Sequence, residues 1–158
     1  MNYGTVSGFK AYCDARGVSY AGKTDPEIAQ ALVRASSYID GAYRASFPGY
    51  KTGGRAQALE WPRYNALDNA RRGIPSDEVP IEIETATYEG GIRELATPGS
   101  LAPDVAAGGG GIKREKVGPL ETEYFSNGST AATFTAIRQA LGGLLTIRSA
   151  YSGRAVRA

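Results

Sequence analysis

The sequence predicts a mainly α-helical fold: a small bundle of about four helices, with a protruding β-hairpin and an extended C-terminal arm. Three observations lead there. Apolar side chains recur at three-to-four spacing in several stretches, and two short runs about Gly118-Pro119 read instead as strands. Glycine makes up 21 of 158 residues, nearly twice its ordinary share of about 7%, which assigns much of the chain to loops and arms. A chain of this length forms one core with appendages. The divisions expected are a helical core over 1–97, a glycine-rich linker over 98–111, a hairpin over 112–125, a helix within 126–145 and a basic tail over 146–158.

Residues 7–16 place Phe9, Tyr12, Cys13 and Ala15 behind Ser7, a candidate N-cap, and stop before Gly17, which predicts a short amphipathic helix. Asp25-Pro26-Glu27 starts the second helix, with an N-cap carboxylate, a proline whose missing N–H costs nothing there, and an acid facing the positive end of the dipole. Its stripe of Ile28, Leu32, Ala35, Ile39 and Tyr43 carries the helix to about Ala45. Phe47-Pro48-Gly49-Tyr50 ends it, 51–55 is an exposed turn, and Gln57 to Trp61 is read as one helical turn. Trp61 is the only tryptophan, a ring that buries most of its area while its indole N–H seeks an acceptor. Pro62 removes the next donor and fixes its own φ, so Gln57, Trp61, Pro62 and Arg63 are read as a loop anchor, the alternative being direct contact of Trp61 with a partner.

Residues 65–78 form a long polar loop with Arg71-Arg72-Gly73 at its tip, a length that favours function or disorder. Val79-Pro80 opens a third helix with a stripe of Ile81, Thr85, Tyr88, Ile92 and Leu95, and with Glu82, Glu89 and Glu94 on its other face. Gly90-Gly91 inside it costs about 1 kcal/mol each relative to alanine, so packing or a close backbone contact must hold that segment. Pro98 stops the helix. A two-residue loop at Gly118-Pro119 sets Lys116 opposite Glu121 and Arg114 opposite Glu123, two favourable pairs on one face. Because an isolated hairpin is marginal in water, Arg114, Lys116, Val117, Leu120, Glu121 and Glu123 are candidates for a contact with a neighbouring subunit. Thr130 or Thr133 opens the last helix, with Phe134, Ile137, Leu141, Leu144 and Leu145 on one side.

Chemistry is restricted by what the composition omits. With no histidine and one cysteine, zinc sites and near-neutral proton transfer lose their usual ligands and carriers. Serines lack a base, and the glycine run 108–111 lacks the following Lys-Ser or Lys-Thr of a phosphate loop. Neither an enzyme nor a cofactor is expected. No apolar run reaches membrane-spanning length, and no signal peptide is apparent, so a cytosolic product is expected. The net charge is only +2, but its signs are segregated. Arg44, Lys51, Arg55, Arg63, Arg71 and Arg72 stand against Glu60 and Asp68, whereas Asp77 to Glu94 holds six acids against Arg93. Such a molecule can associate with copies of itself or steer a charged partner.

The basic residues alternate with Tyr50, Trp61 and Tyr64, the composition of a stacking-plus-phosphate surface for single strands. Lys51, Arg55, Arg71 and Arg72 are the candidate DNA contacts. The acidic third helix argues against strong binding, and what binding there is should be weak and electrostatic, without an organised stacking platform.

Arg34-Ala-Ser-Ser-Tyr-Ile-Asp40, Arg55 to Tyr64, Ile74-Pro-Ser-Asp-Glu-Val-Pro80 and Lys113-Arg-Glu-Lys-Val-Gly-Pro119, in this order and spacing, resemble a family of tailed-phage proteins. That family is often labelled DnaT-like single-stranded-DNA-binding protein, and its members resemble head–tail connectors, or adaptors. The resemblance implies a bacteriophage virion protein of the neck, present in the host cytoplasm before assembly. Its partners would be its own copies in a dodecameric ring, the portal protein, tail-side neck or tail proteins, and DNA passing through the channel. It further implies a C-terminal portal attachment, for which Ile147, Arg148, Tyr151, Arg154, Val156 and Arg157 are the candidate residues. The alternative is a single-stranded-DNA-binding replication protein.

Overall fold

The computed structural model of the protein describes residues 1–102, 114–117, 120–123 and 134–145, the two strand segments 114–117 and 120–123 by their backbone alone. Residues 103–113 of the linker region and the tail with Ile147, Arg148, Tyr151, Arg154, Val156 and Arg157 lie outside the described residues. The chain divides into two compact units, one built on Met1–Leu101 and the segment from Phe134 on, the other on Ala102–Thr133.

Helix α1 covers Val6–Arg16 and is capped by Thr5, whose hydroxyl accepts the Gly8 N–H at 2.9 Å. Ser7, expected as the cap, lies inside the first turn; Thr5 has the extended backbone that a cap requires. Gly17 closes the helix in the left-handed conformation. Helix α2 covers Asp25–Tyr43, and here too the cap lies earlier than expected, at Thr24 and not Asp25. The Glu27 carboxylate accepts both the Thr24 N–H, at 2.8 Å, and the Thr24 hydroxyl, at 2.7 Å. Asp25 is thereby left in the first turn, where Lys10 of α1 pairs with it. A 3₁₀ turn, Arg44–Ser46, follows α2.

Strands β1 (Tyr50–Lys51) and β2 (Arg63–Tyr64) pair antiparallel, Tyr50 against Tyr64 and Lys51 against Arg63. The helical turn expected over 57–61 is a 3₁₀ turn at Gly54–Ala56 instead. The amide of Gln57 explains the shift: it donates to the carbonyls of Leu59 and Pro62 and accepts the Gly53 N–H, which holds 57–62 as a bent loop.

Helix α3 covers Ile81–Ala96 and runs opposite to α2, its early residues Ile83 and Ala86 clustering with Ala35 and Ile39 and its late residue Leu95 with Ile28 and Leu32. Helix α4 (Thr135–Ala140) and the 3₁₀ turn Leu141–Gly143 pack on α3. Phe134, rather than Thr133 or Thr130, is the residue before its first turn. Ile137, Leu141 and Leu144 join Ala35, Ile39, Ile83, Ala86 and Leu101 in one apolar cluster. Phe9 and Cys13 of α1 meet Ile28, Leu32, Tyr88 and Leu95 in another.

The buried face of α3 differs from the expected stripe. Tyr88 and Leu95 of that stripe are buried, but Ile81 is 65% exposed, and Ile83, Ala86, Thr87, Gly90, Gly91 and Glu94 are buried beside them. Glycine decides the face. A Cβ at Gly90 would stand 2.9 Å from the Ala35 Cβ, and one at Gly91 2.9 Å from the Leu32 Cδ2. Only the side lacking these carbons can approach α2 so closely, and Ile83, Ala86, Thr87 and Glu94 lie on that side.

Glu94, expected on the solvated acidic face, therefore enters the interior. It accepts the Arg34 Nε–H at 2.6 Å and the backbone N–H groups of Gly99 and Leu101 at 2.8 and 2.9 Å. Burial pushes this carboxyl up, but the two backbone donors and the Arg34 guanidinium outweigh it and hold it below the ordinary glutamate value. The stabilisation it gives is present above that ordinary value and is lost as the pH falls through the lowered one.

In the second unit, β3 (Arg114–Val117) and β4 (Leu120–Glu123) pair antiparallel with Arg114 opposite Glu123 and Lys116 opposite Glu121, the register expected from a two-residue loop.

The glycine pair yields an asymmetric prediction. Ala35 Cβ is fixed to the α2 backbone while Leu32 Cδ2 ends a flexible side chain, so Gly90→Ala should destabilise by about 1 to 2 kcal/mol, overpacking exceeding the propensity gain. Gly91→Ala should cost less, because Leu32 can turn aside, although the buried Phe9 ring stands 3.2 Å from the added carbon. Thermal melts of the two variants check the order.

Candidate nucleic-acid interface

The β1–β2 ribbon is held from beneath by a polar network that begins at the N-terminus. The Tyr3 hydroxyl donates to Asp40 Oδ1 at 2.7 Å and accepts the Trp61 N–H at 3.1 Å, while Asp40 Oδ2 accepts the Glu60 N–H at 3.1 Å. Burial first, then the Asp40 carboxylate, pushes the Tyr3 hydroxyl up, so it stays a donor. Burial also raises Asp40 above the ordinary aspartate value, although Tyr3 and the Glu60 N–H act against it. These bonds fix the loop 57–62 to the end of α2. Neither Tyr3 nor Asp40 stands out in the sequence, since a tyrosine at the start of a chain and an aspartate late in a helix carry no pattern.

Trp61 is 2% exposed and meets Phe47 edge to face, with centroids 5.8 Å apart. The ring is thus packed inside the chain, and its indole N–H finds no acceptor among the described residues. The Trp61-Pro62 bond is cis. Arg63 is almost as deeply placed, 7% exposed. Its Nε donates to the Pro48 carbonyl at 2.6 Å, Nη2 to the Gly49 carbonyl at 2.7 Å, and Nη1 to Glu60 Oε2 at 2.8 Å. Arg63 is thus a clamp across the ribbon and does not belong to a phosphate-facing surface.

The strand alternation sends the tyrosines the other way. Tyr50 is 65% and Tyr64 44% exposed, and their rings lie with centroids 5.6 Å apart and planes inclined by 34°. Gly49 makes this approach feasible: its φ is +65°, and a Cβ there would meet the Tyr64 carbonyl oxygen and the Ala66 nitrogen. Sequence reading set these two tyrosines among the basic residues but missed that they face each other, because two-residue strands are too short to show a period of two.

The four candidate DNA contacts part company. Lys51 is half-buried and 3.5 Å from Glu60, on the ribbon's inner side. Arg55 is exposed on the 3₁₀ turn between the strands, and Arg71 and Arg72 are exposed on the turn at 68–72. None of these three arginines has a carboxylate partner within 4 Å among the described residues.

The loop 65–78 is ordered. Asp68 Oδ1 accepts the Arg72 N–H, and Asn69 donates through its backbone and side chain to the carbonyls of Gly143 and Gly142. Thr52 bonds the Ser76 carbonyl, and Ile74 the Ala66 carbonyl, so both edges of the loop are tied down. Arg71, with φ at +62°, lies at the turn. No cluster of three metal-ligating side chains and no helix long and apolar enough to cross a membrane occurs among the described residues.

A family model described as "Putative DnaT-like ssDNA binding protein" matches residues 2–158. The chain belongs to that family. No curated protein and no solved structure matches it.

Membership in the DnaT-like family corrects the expectation of a phage head–tail connector. The family description points to DNA binding and carries nothing of a virion, a neck, a portal partner or a twelve-membered ring. The motifs behind that resemblance are explained by the fold where the structure describes them. Ser36, Ile39 and Asp40 tie α2 to the core and the N-terminal segment, Trp61 and Arg63 anchor the ribbon, and Val79-Pro80 leads into α3. These residues hold this fold together and say nothing about an assembly.

The anchor role of Trp61 is open to direct measurement. Trp61→Ala should cost about 3 to 5 kcal/mol, as for other buried aromatic truncations, and the native protein should emit at wavelengths well short of those of indole in water. Denaturant titration followed by circular dichroism gives the first quantity, and the emission spectrum of the folded chain gives the second.

Proposed function

We propose that this protein binds single-stranded DNA, without a catalytic step, through the outer face of the β1–β2 ribbon. The observation that carries the reading is the exposed, mutually packed Tyr50–Tyr64 pair. Water-exposed aromatic faces beside uncompensated cations are what a single strand needs, bases stacking on rings and phosphates meeting guanidinium groups. Arg55, Arg71 and Arg72 are exposed cations of the loops tied to the ribbon through Gln57, Thr52 and Ile74. Family membership supports the same choice of ligand. The sequence alone favoured weak, purely electrostatic contact; the tyrosine pair adds a stacking contribution to it.

Salt separates the two contributions. With three arginines on phosphates, log affinity for a single-stranded oligomer should fall with log salt at a slope near −2, from about −0.7 per contact. Replacing Arg71 and Arg72 together by alanine should flatten that slope, whereas Tyr50→Ala should lower affinity at every salt concentration without changing it. Fluorescence anisotropy across a salt series measures both. Absence of binding at low salt rejects the reading.

A further inference from the structure

We infer that the Tyr50 and Tyr64 rings form a platform on whose outer faces unpaired bases stack, in DNA and RNA alike, and that Arg63 is the positioning residue that keeps the two rings together. The inference rests on the reading of the chain as a single-strand binder and goes on to how the strand is held. The rings are 5.6 Å apart at 34°. A base sandwiched between them would need two stacking gaps, about 6.8 Å in all at the base spacing of a nucleic-acid strand. No base enters there. The outward surfaces remain, with Tyr50 the more open of the two, so each ring offers one outer face.

Within a duplex both faces of a base are covered by its neighbours, so rings presented in this way find partners where bases are unpaired. Stacking uses the π-face that every base possesses, and it engages neither the Watson–Crick edge nor the 2′ position. The ligand class is therefore an unpaired polynucleotide of either sugar.

The platform exists only while both strands keep their register. Pro48 and Gly49 directly precede Tyr50, and Arg63 directly precedes Tyr64. One guanidinium bonds the carbonyls of Pro48 and Gly49 and the Glu60 carboxylate together, and so ties the two stretches of backbone that carry the rings. The planar fork matters, because a lysine ammonium cannot reach three such acceptors in one plane. Buried as it is, Arg63 acts on the strand only through the tyrosines.

The test uses the full chain and three labelled oligomers of equal length at one salt concentration: oligothymidine DNA, oligouridine RNA, and DNA lacking its bases. DNA and RNA should bind within about threefold of each other, and the abasic strand should bind about tenfold or more worse. Tyr50→Leu and Tyr64→Leu should each reduce affinity for intact DNA toward the abasic value, and Tyr50→Phe should recover most of what Tyr50→Leu loses. Arg63→Lys should weaken binding to intact strands while leaving abasic affinity unchanged; Glu60→Gln, which weakens the same clamp, replaces it if Arg63→Lys fails to fold. Equal affinity for abasic and intact strands, or leucine variants without effect, overturns the platform while single-strand binding stands. A DNA–RNA difference above about tenfold overturns the indifference to sugar. Equal losses on abasic and intact strands in the clamp variants overturn the positioning role, and no binding to any oligomer overturns the function itself.

Discussion

The Asp40 carboxylate, late in α2, is the constraint on which the exposed ribbon depends. It accepts the Tyr3 hydroxyl and the Glu60 N–H, and Tyr3 in turn accepts the Trp61 N–H. Three segments far apart in sequence are joined by one half-buried carboxylate. Unpaired, each of these groups would cost its desolvation in full; joined, they leave the loop 57–62 one low-energy position. Trp61 and Arg63 then take fixed places under the ribbon, and Tyr50 and Tyr64 are left facing solvent. An exposed aromatic pair in water is a poor use of apolar surface unless a ligand covers it, which is why these rings and not the buried tryptophan carry the functional reading.

Below the ribbon the architecture rests on a close approach of two helices. Gly90 and Gly91 cost helix propensity, yet they bring α3 within a methyl's reach of Ala35 and Leu32. That approach turns Glu94 inward, and the carboxylate then gathers Arg34 and the N–H groups of Gly99 and Leu101, fixing the segment that follows the helix. One sequence feature that looks like a defect thus sets the face of α3, the burial of an acid and the course of the chain after Ala96. It also leaves Glu82 and Glu89 on less buried sides of the helix.

Much of the fold was legible from periodicity, and the failures have specific causes. The stripe of α2 was readable because Ile28, Leu32, Ala35 and Ile39 are large or neutral and regularly spaced. The stripe of α3 is readable at Tyr88 and Leu95 and fails at Ile81 and Glu94, because the close contact that Gly90-Gly91 implies carries no direction in the sequence, and it is this contact that sets the buried face. Both N-caps were displaced by a neighbouring residue with equal capping chemistry, Thr5 for Ser7 and Thr24 for Asp25. The hairpin register followed from charge opposition and a two-residue loop. Of the site, the residue types were visible and their arrangement was not: Lys51 and Arg63 point inward, Tyr50 and Tyr64 outward, and no stretch of two residues announces that. The connector reading came from motifs that describe the fold, and family membership redirects it to DNA binding.

The central claim is that single strands lie on the Tyr50–Tyr64 face. Ring-resolved NMR of the tyrosines, titrated with a short oligothymidine, addresses it most directly, because stacking moves ring signals upfield while a purely ionic contact does not. Stacking on the ribbon predicts upfield shifts for Tyr50 and Tyr64 that saturate together with binding, with Tyr3 and Tyr88 unmoved in the core. Saturable binding that leaves Tyr50 and Tyr64 unchanged, or that shifts signals from α1 or α3 instead, would contradict it.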